Sequence, residues 1–264
     1  MTEERKKAIC RRFSKAAATY DEYALVQKES AARLATCLPE PFSAARILEI
    51  GCGTGNFTAQ LAARFPHARL TALDFSEAMV EQAVKKCRDC HVSFLWADGE
   101  QYLDENKEQF DLVTSNATMQ WFDDLPRAFS HVARSLAPGG IFLASLFGPS
   151  SLHELAAALA GVFAESPGLP AAQFPDREKI LQLARAYFAR VEIAETVYRR
   201  TYLSLQDLFR HISKTGTGGY HPSLPRLTRS RLERLEEWFC SHGGFALSYQ
   251  VFFVTAARPG EEKK

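Results

Sequence analysis

The residues in this 264-residue chain whose types and spacing could do chemistry centre on three glycines, Gly51, Gly53 and Gly55. A short apolar run, Ile47 to Ile50, leads into them, and a helix-compatible segment, Thr58 to Arg64, leads out. Glycine lets the backbone adopt positive φ and lets a ligand lie against the main chain, with amides at the helix start aimed at it. The loop therefore reads as a small-molecule seat. A dinucleotide fingerprint would need glycine or alanine where Asn56 stands, which weakens that reading. A tight strand-to-helix turn without a ligand would also use glycines.

Polar residues recur where further strands should end. Asp74 closes a strand read over Arg69–Asp74, Asp98 follows one over Ser93–Ala97, and Asn116 closes one over Phe110–Asn116. Any one of these acids alone is more often a solvated loop end or a helix cap. Several at successive strand ends beside one glycine loop form a set. Phe75 and Met79 could flank a ligand or equally pack the core.

The elements that must position this set follow from periodicity. Helices are expected at Glu77–Lys86 and Leu125–Leu136, and a fifth strand at Gly140–Leu146 after a turn at Ala137–Gly140. Such alternation specifies an α/β fold, a mostly parallel sheet covered on both faces, with ligands at the carboxyl ends of its strands. Before it, Glu4 to Cys37 permits one long helix or two short ones. Tyr20 and Tyr23 share a face there, and either pack on the main domain or belong to a lid. After it come helix-like Leu152–Ala164, a helix over Asp176–Phe188 with an aspartate cap, and a strand over Val191–Tyr202. A helix over Ser204–Ser213, an arginine-rich helix over Arg226–Cys240 and a closing strand over Ala246–Ala257 complete the pattern. The expected organisation is a helical lid over 1–40, a main domain over 41–257 with cap segments near 147–175 and 203–245, and a polar tail over 258–264. Lys214 to Gly219 reads as a flexible connector or a substrate loop.

Bulk properties narrow the class. Apolar residues at 46% and charged residues at 24% are ordinary for a globular chain, and a net charge of +1 argues against a general nucleic-acid binder. No apolar run suits a membrane span, and Glu3 and Glu4 are unusual for a transit peptide. Six scattered cysteines fit a reducing cytoplasm. Cys87 and Cys90 have a CxxC spacing but no second pair, and His91 does not replace one, so no metal is expected.

The run Glu49-x-Gly51-x-Gly53-x-Gly55 resembles motif I of the class I S-adenosylmethionine-dependent methyltransferases. That resemblance implies a Rossmann-like fold, with Asp74 on the cofactor's ribose and Asp98 on its adenine. Three further stretches narrow it: Arg12-Phe13-Ser14-Lys15-Ala16-Ala17 with Tyr20-Asp21-x-Tyr23-Ala24-x-x-Gln27, then Ser115-Asn116-Ala117-x-x-Gln120-Trp121, then Ile212 to Gly218. Together they resemble the malonyl-acyl-carrier-protein O-methyltransferases of biotin synthesis, over nearly the whole chain.

The resemblance implies methyl transfer from S-adenosyl-L-methionine to the free carboxylate of a malonyl thioester. Gly51, Gly53, Gly55, Asp74, Phe75, Asp98, Asn116, Tyr23 and Gln27 would bind the cofactor, and Tyr20 would be the lid residue at the reacting groups, with Tyr23 and Gln27 as second choices for that place. Lys214 and Arg199 are the candidate cations for the substrate's anionic groups. An acyl-carrier protein is the expected partner, and Arg226, Arg229, Arg231 and Arg234 read either as a solvated face or as its docking face. Two other readings stay open: a methyltransferase for another small acid or a quinone, and an assembly factor or hydroxylase acting on a protein partner.

Overall fold

In a computed structural model, residues 3–163, 168–216 and 228–260 are described. The leader forms three helices, α1 (Glu3–Ala16), α2 (Tyr20–Tyr23) and α3 (Leu25–Thr36). This exceeds the one or two expected. Ala24, fully buried with φ −80° and ψ 49°, interrupts the helical path between α2 and α3.

Strands and helices then alternate: β1 (Arg46–Ile50), α4 (Asn56–Arg64), β2 (Arg69–Asp74), α5 (Glu77–Lys86), β3 (Val92–Trp96), α6 (Gly99–Glu105), β4 (Phe110–Asn116), α7 (Leu125–Ser135) and β5 (Leu136–Phe147). The chain continues through α8 (His153–Val162), α9 (Arg177–Arg185), β6 (Arg190–Thr201), α10 (Leu205–Lys214), α11 (Arg229–Ser241) and β7 (Ala246–Ala257). Strand β5 begins earlier than expected. The anticipated turn at Ala137–Gly140 is absorbed as an irregularity in the β4–β5 register, with Gly139 at φ +77°. Helix α6 was not expected. It is one short stretch started by a glycine, and Asp98 caps it by accepting from the amides of Glu100 and Gln101.

The seven strands form one sheet in the order β3-β2-β1-β4-β5-β7-β6, with β7 antiparallel to both neighbours. Side chains alternate across it. Ile47, Leu70, Leu112 and Leu143 face one apolar layer, shared with Ile9, Leu34, Leu155, Leu208 and Leu235. Leu48, Leu73, Val113 and Phe142 face the other, packed on Phe129 and Ile180. Burial on both faces explains why the central strands read as continuous apolar runs. The leader and the later helices thus complete the sheet's own core. The strand order reverses between β1 and β4, and the crevice outside their carboxyl ends is where such sheets bind ligands.

Candidate active site

The glycine loop lies at that reversal. Gly51 stands at φ +76°, and a Cβ there would meet the Thr118 hydroxyl oxygen at 2.1 Å. Only glycine allows this approach. Gly55, at φ +83°, precedes α4 and packs against Ala83 of α5. Gly53 differs: at φ +53° it has no heavy atom within 4 Å of the place a Cβ would take. Its open flank faces a cavity of about 950 Å³, mouth included.

Asp74 is buried at the end of β2, where its two oxygens accept from the amides of Gly53 (3.0 Å) and Ser76 (2.9 Å). Burial pushes its carboxyl up to about 6, against the pull of those two donors. Glu49, also buried, accepts from the Thr58 hydroxyl at 2.6 Å, and burial lifts it to about 7. Asn116 is locked. Its Oδ1 accepts from Ser30 (2.9 Å) and Ser145 (2.7 Å) while Nδ2 donates to the Gln27 carbonyl (3.1 Å). The next residue, Ala117, holds φ +54°, a conformation costing a non-glycine residue about 1 kcal/mol or more. Such strain turns the chain sharply at the end of β4 and brings Thr118 over Gly51.

Leader residues roof the cavity. Lys6, Ile9, Phe13, Tyr20 and Gln27 line it together with Gly51, Gly53, Asp74, Phe75, Asp98 and Asn116. Asp21 ties α2 to the glycine loop, accepting from Thr54 (2.6 Å), Asn56 (2.8 Å) and Lys86 (2.6 Å), and these partners hold its carboxyl below the ordinary value against its partial burial. Lys6 pairs with Asp98 (2.6 Å) and Glu100 (2.7 Å). Burial, helped by the Asp74 and Asp21 charges, keeps the Tyr20 phenol protonated. Lys6 carried no sequence signal of this role, since its partners are far away in the chain, and Asp21 lay within the leader stretch singled out for the resemblance, without an assigned role. Trp121 lay within a stretch already singled out, but without an assigned role.

Other expected residues lie elsewhere. Gly55 shapes the turn without lining the cavity. Tyr23 packs its ring edge-on to His211 at 4.9 Å in a neighbouring cavity, which also contains Gln27, Arg200, Tyr202 and Tyr249. Lys214 closes α10 and lines none of the three cavities described, and Arg199 is exposed on the edge strand β6. Its neighbour Arg200 points the other way, into the cavity with Tyr23, and pairs with Glu29 at 2.5 Å. Among the expected arginines, Arg226 is outside the described residues, as are Thr217, Gly218 and Gly219 of the connector. Arg229 pairs with Glu233 at 3.0 Å, and Arg231 stacks its guanidinium on Phe163 at 5.0 Å. Glu233, Glu236 and Glu237 balance Arg229, Arg231 and Arg234 on α11, so this helix shows no basic excess.

Comparison with known proteins agrees with this geometry. A family model described as a methyltransferase domain matches residues 47–140. A solved S-adenosylmethionine-dependent methyltransferase from Thermotoga maritima, a possible histamine N-methyltransferase, superposes with a TM-score of 0.56 at 20% identity, over 95% of this chain and 99% of that one. The phosphoethanolamine N-methyltransferase 2 of Haemonchus contortus, solved with S-adenosyl-L-methionine, gives 0.56 at 20% identity. It is matched over 88% of this chain, which spans only 52% of the longer nematode protein. These likenesses concern the fold. The residues present fit S-adenosylmethionine: an open glycine flank at Gly53, a buried carboxylate beside it, and an apolar wall of Phe75 and Met79. A Bacillus cereus protein named malonyl-[acyl-carrier protein] O-methyltransferase is 32% identical over 97% of this chain and 98% of its own length. With leader, sheet and cap all inside that match, the chain belongs to the malonyl-[acyl-carrier protein] O-methyltransferase family.

Proposed function

We propose that this protein methylates the free carboxylate of a malonyl thioester, carried by an acyl-carrier protein, and so supplies the methyl ester that enters biotin synthesis. One observation carries the reading: a relative named for this activity aligns over 97% of the chain, a span that takes in most of the leader roofing the cofactor cavity. The ester masks a charge that is costly to place in an apolar pocket. Six free cysteines fit the reducing cytoplasm where such a reaction would run.

The acceptor is an anion at neutral pH, so it needs no strong general base. The two buried acids agree with that: Asp74 is committed to backbone amides and Glu49 to Thr58. S-adenosylmethionine supplies an electrophilic methyl group when bound. Gly51 and Gly53 would leave room for its amino-acid end, Asp74 would accept from its ribose through the lone pairs that its two amide donors leave free, and Asp98 would take its adenine. The roof of Phe13, Tyr20 and Trp121 excludes water, and Tyr20, held protonated, donates to the acceptor. Tyr23 and Gln27 stand at the wall toward the neighbouring cavity.

Arg200 takes the anchoring role first given to Arg199 and Lys214. It faces the cavity that shares Gln27 with the cofactor site, and its Nε is buried without a hydrogen-bond partner. A carboxylate there would gain a charge-assisted bond.

The test is transfer of label from S-adenosylmethionine to malonyl-carrier protein, malonyl-coenzyme A and free malonate. Label appearing only on the thioesters supports the reading, and no transfer despite cofactor binding refutes it. Tyr20→Phe is expected to lower kcat about tenfold or more with little change in cofactor affinity. Arg200→Gln should raise KM for the malonyl substrate about tenfold, with Arg199→Gln near wild type. Equal effects of the two arginine changes would remove Arg200 from the role.

A further inference from the structure

A second cavity, about 1460 Å³ with its mouth, lies beside the cofactor site and shares Trp121 with it. Its walls are mostly apolar, with Leu155, Leu159, Phe174 and Phe209. Ser151, Ser213 and Tyr249 interrupt them, with the Ser151 hydroxyl bonded to the Gln250 backbone and that of Tyr249 to Tyr202. This space far exceeds what a three-carbon diacid needs. At its rim stand Arg12 and Lys15, both exposed and three apart on α1, so they share a face. Arg5, Lys6 and Lys7 of the same helix are all ion-paired, whereas among the described residues Arg12 and Lys15 have no anionic partner. The helix as a whole carries Arg5, Lys6, Lys7, Arg11, Arg12 and Lys15 against Glu3 and Glu4. Among the described residues it carries a basic excess where α11 carries none.

The geometry points to an occupant with an anion at one end and a long, largely apolar arm. We propose that this cavity takes the phosphopantetheine arm of the carrier-bound acceptor, with Arg12 and Lys15 on its phosphodiester and Trp121 marking the wall beyond which the thioester meets the methyl donor. The inference rests on the carboxyl-methylation reading and adds the path by which the substrate arrives. The dimethyl part of the arm lies along Leu155 and Leu159, and its amides come within reach of Ser213. The acidic carrier then docks on the exposed face of α1 beside the rim, where opposite charge speeds encounter and sets orientation.

The experiment compares malonyl-phosphopantetheine with malonyl-pantetheine, which lacks the phosphate, and with malonyl-carrier protein. Substrates are turned over by wild type, by the double variant Arg12→Glu/Lys15→Glu and by Leu159→Trp. The double variant is expected to raise KM about tenfold more for the two phosphorylated substrates than for malonyl-pantetheine. Filling the cavity with Leu159→Trp should raise KM for all three. Retained S-adenosylhomocysteine affinity shows that the variants still fold. An equal effect of charge reversal with and without the phosphate, or no effect of filling the cavity, would overturn the proposal. Calorimetric titration with unacylated phosphopantetheine separates this from failure of the parent reading. If wild type methylates no malonyl thioester, the parent reading falls. If wild type shows no saturable phosphopantetheine binding, this inference falls by itself.

Discussion

At the scale of single residues, the three glycines have three different tasks, and substitution should separate them. Gly51→Ala drives a methyl group into Thr118 at a left-handed φ, so a stability loss of about 2 kcal/mol or more is expected, read as a lower Tm. Gly53→Ala has space within the protein itself and should cost only about 1 kcal/mol, while cofactor affinity falls at least about tenfold because the methyl group enters the ligand's space. Calorimetry and melting on both variants would reverse this assignment if Gly53→Ala melted lower. The Glu49 carboxyl gives a pH signature. Its ordinary value is 4.5 and burial raises it to about 7, so the folded protein holds a proton that the unfolded chain has lost. The stability it contributes is full below about pH 4.5 and is lost as the pH rises through about 7. Glu49→Gln keeps an acceptor for Thr58 and removes the charge. It should stabilise the protein at about pH 8 by on the order of 2 kcal/mol and flatten the fall of Tm above about pH 5. Parallel Tm curves for variant and wild type would show that Glu49 is not the group responsible. The choice between two candidate cations is also a matter of one residue. Arg199 and Arg200 are equivalent by charge and neighbourhood, but a strand sends successive side chains to opposite faces, and only the packed sheet shows that Arg200 is the one lining the cavity beside Gln27.

At the scale of elements, the central strands were legible because burial on both faces leaves an uninterrupted apolar signature. β2, β4, α5 and β7 begin and end where periodicity places them. The leader was less legible. Its helices have one face in the core and another over a ligand cavity, and the residues that hold it there find partners such as Asp98 and Lys86 that no local spacing reveals. Helix α6 escaped for a different reason: seven residues starting at a glycine carry too little periodicity to exceed a capped turn. The roof predicts its own dynamics. Asp21→Ala removes the acceptor shared by Thr54, Asn56 and Lys86, and amide exchange over α1 and α2 should accelerate about tenfold or more while β1 and β4 stay protected. Unchanged exchange in α1 would mean that Ser14 on Ser76 and Lys6 on Asp98 suffice to hold it.

At the scale of the molecule, leader, sheet and late helices share one apolar layer, so the leader is not a detachable unit. Deleting residues 3–36 would expose the surfaces now covered by Ile9, Val26 and Leu34, and the truncated chain is expected to aggregate on expression, measured as loss of soluble protein. A soluble, cooperatively melting truncation would show that the sheet core is self-sufficient. The same arrangement makes α1 a party wall, with Ile9 and Phe13 toward one cavity and Arg12 and Lys15 toward the other. Such a wall imposes a timetable on turnover. The helix lies over loops that the cofactor would have to reach, and it also walls the cavity proposed for the acceptor's arm, so on that proposal the cofactor must enter before the helix is in place. Steady-state kinetics should therefore be compulsory-ordered, with S-adenosylmethionine first on and S-adenosylhomocysteine last off, so that the latter competes with the methyl donor and never with the acceptor.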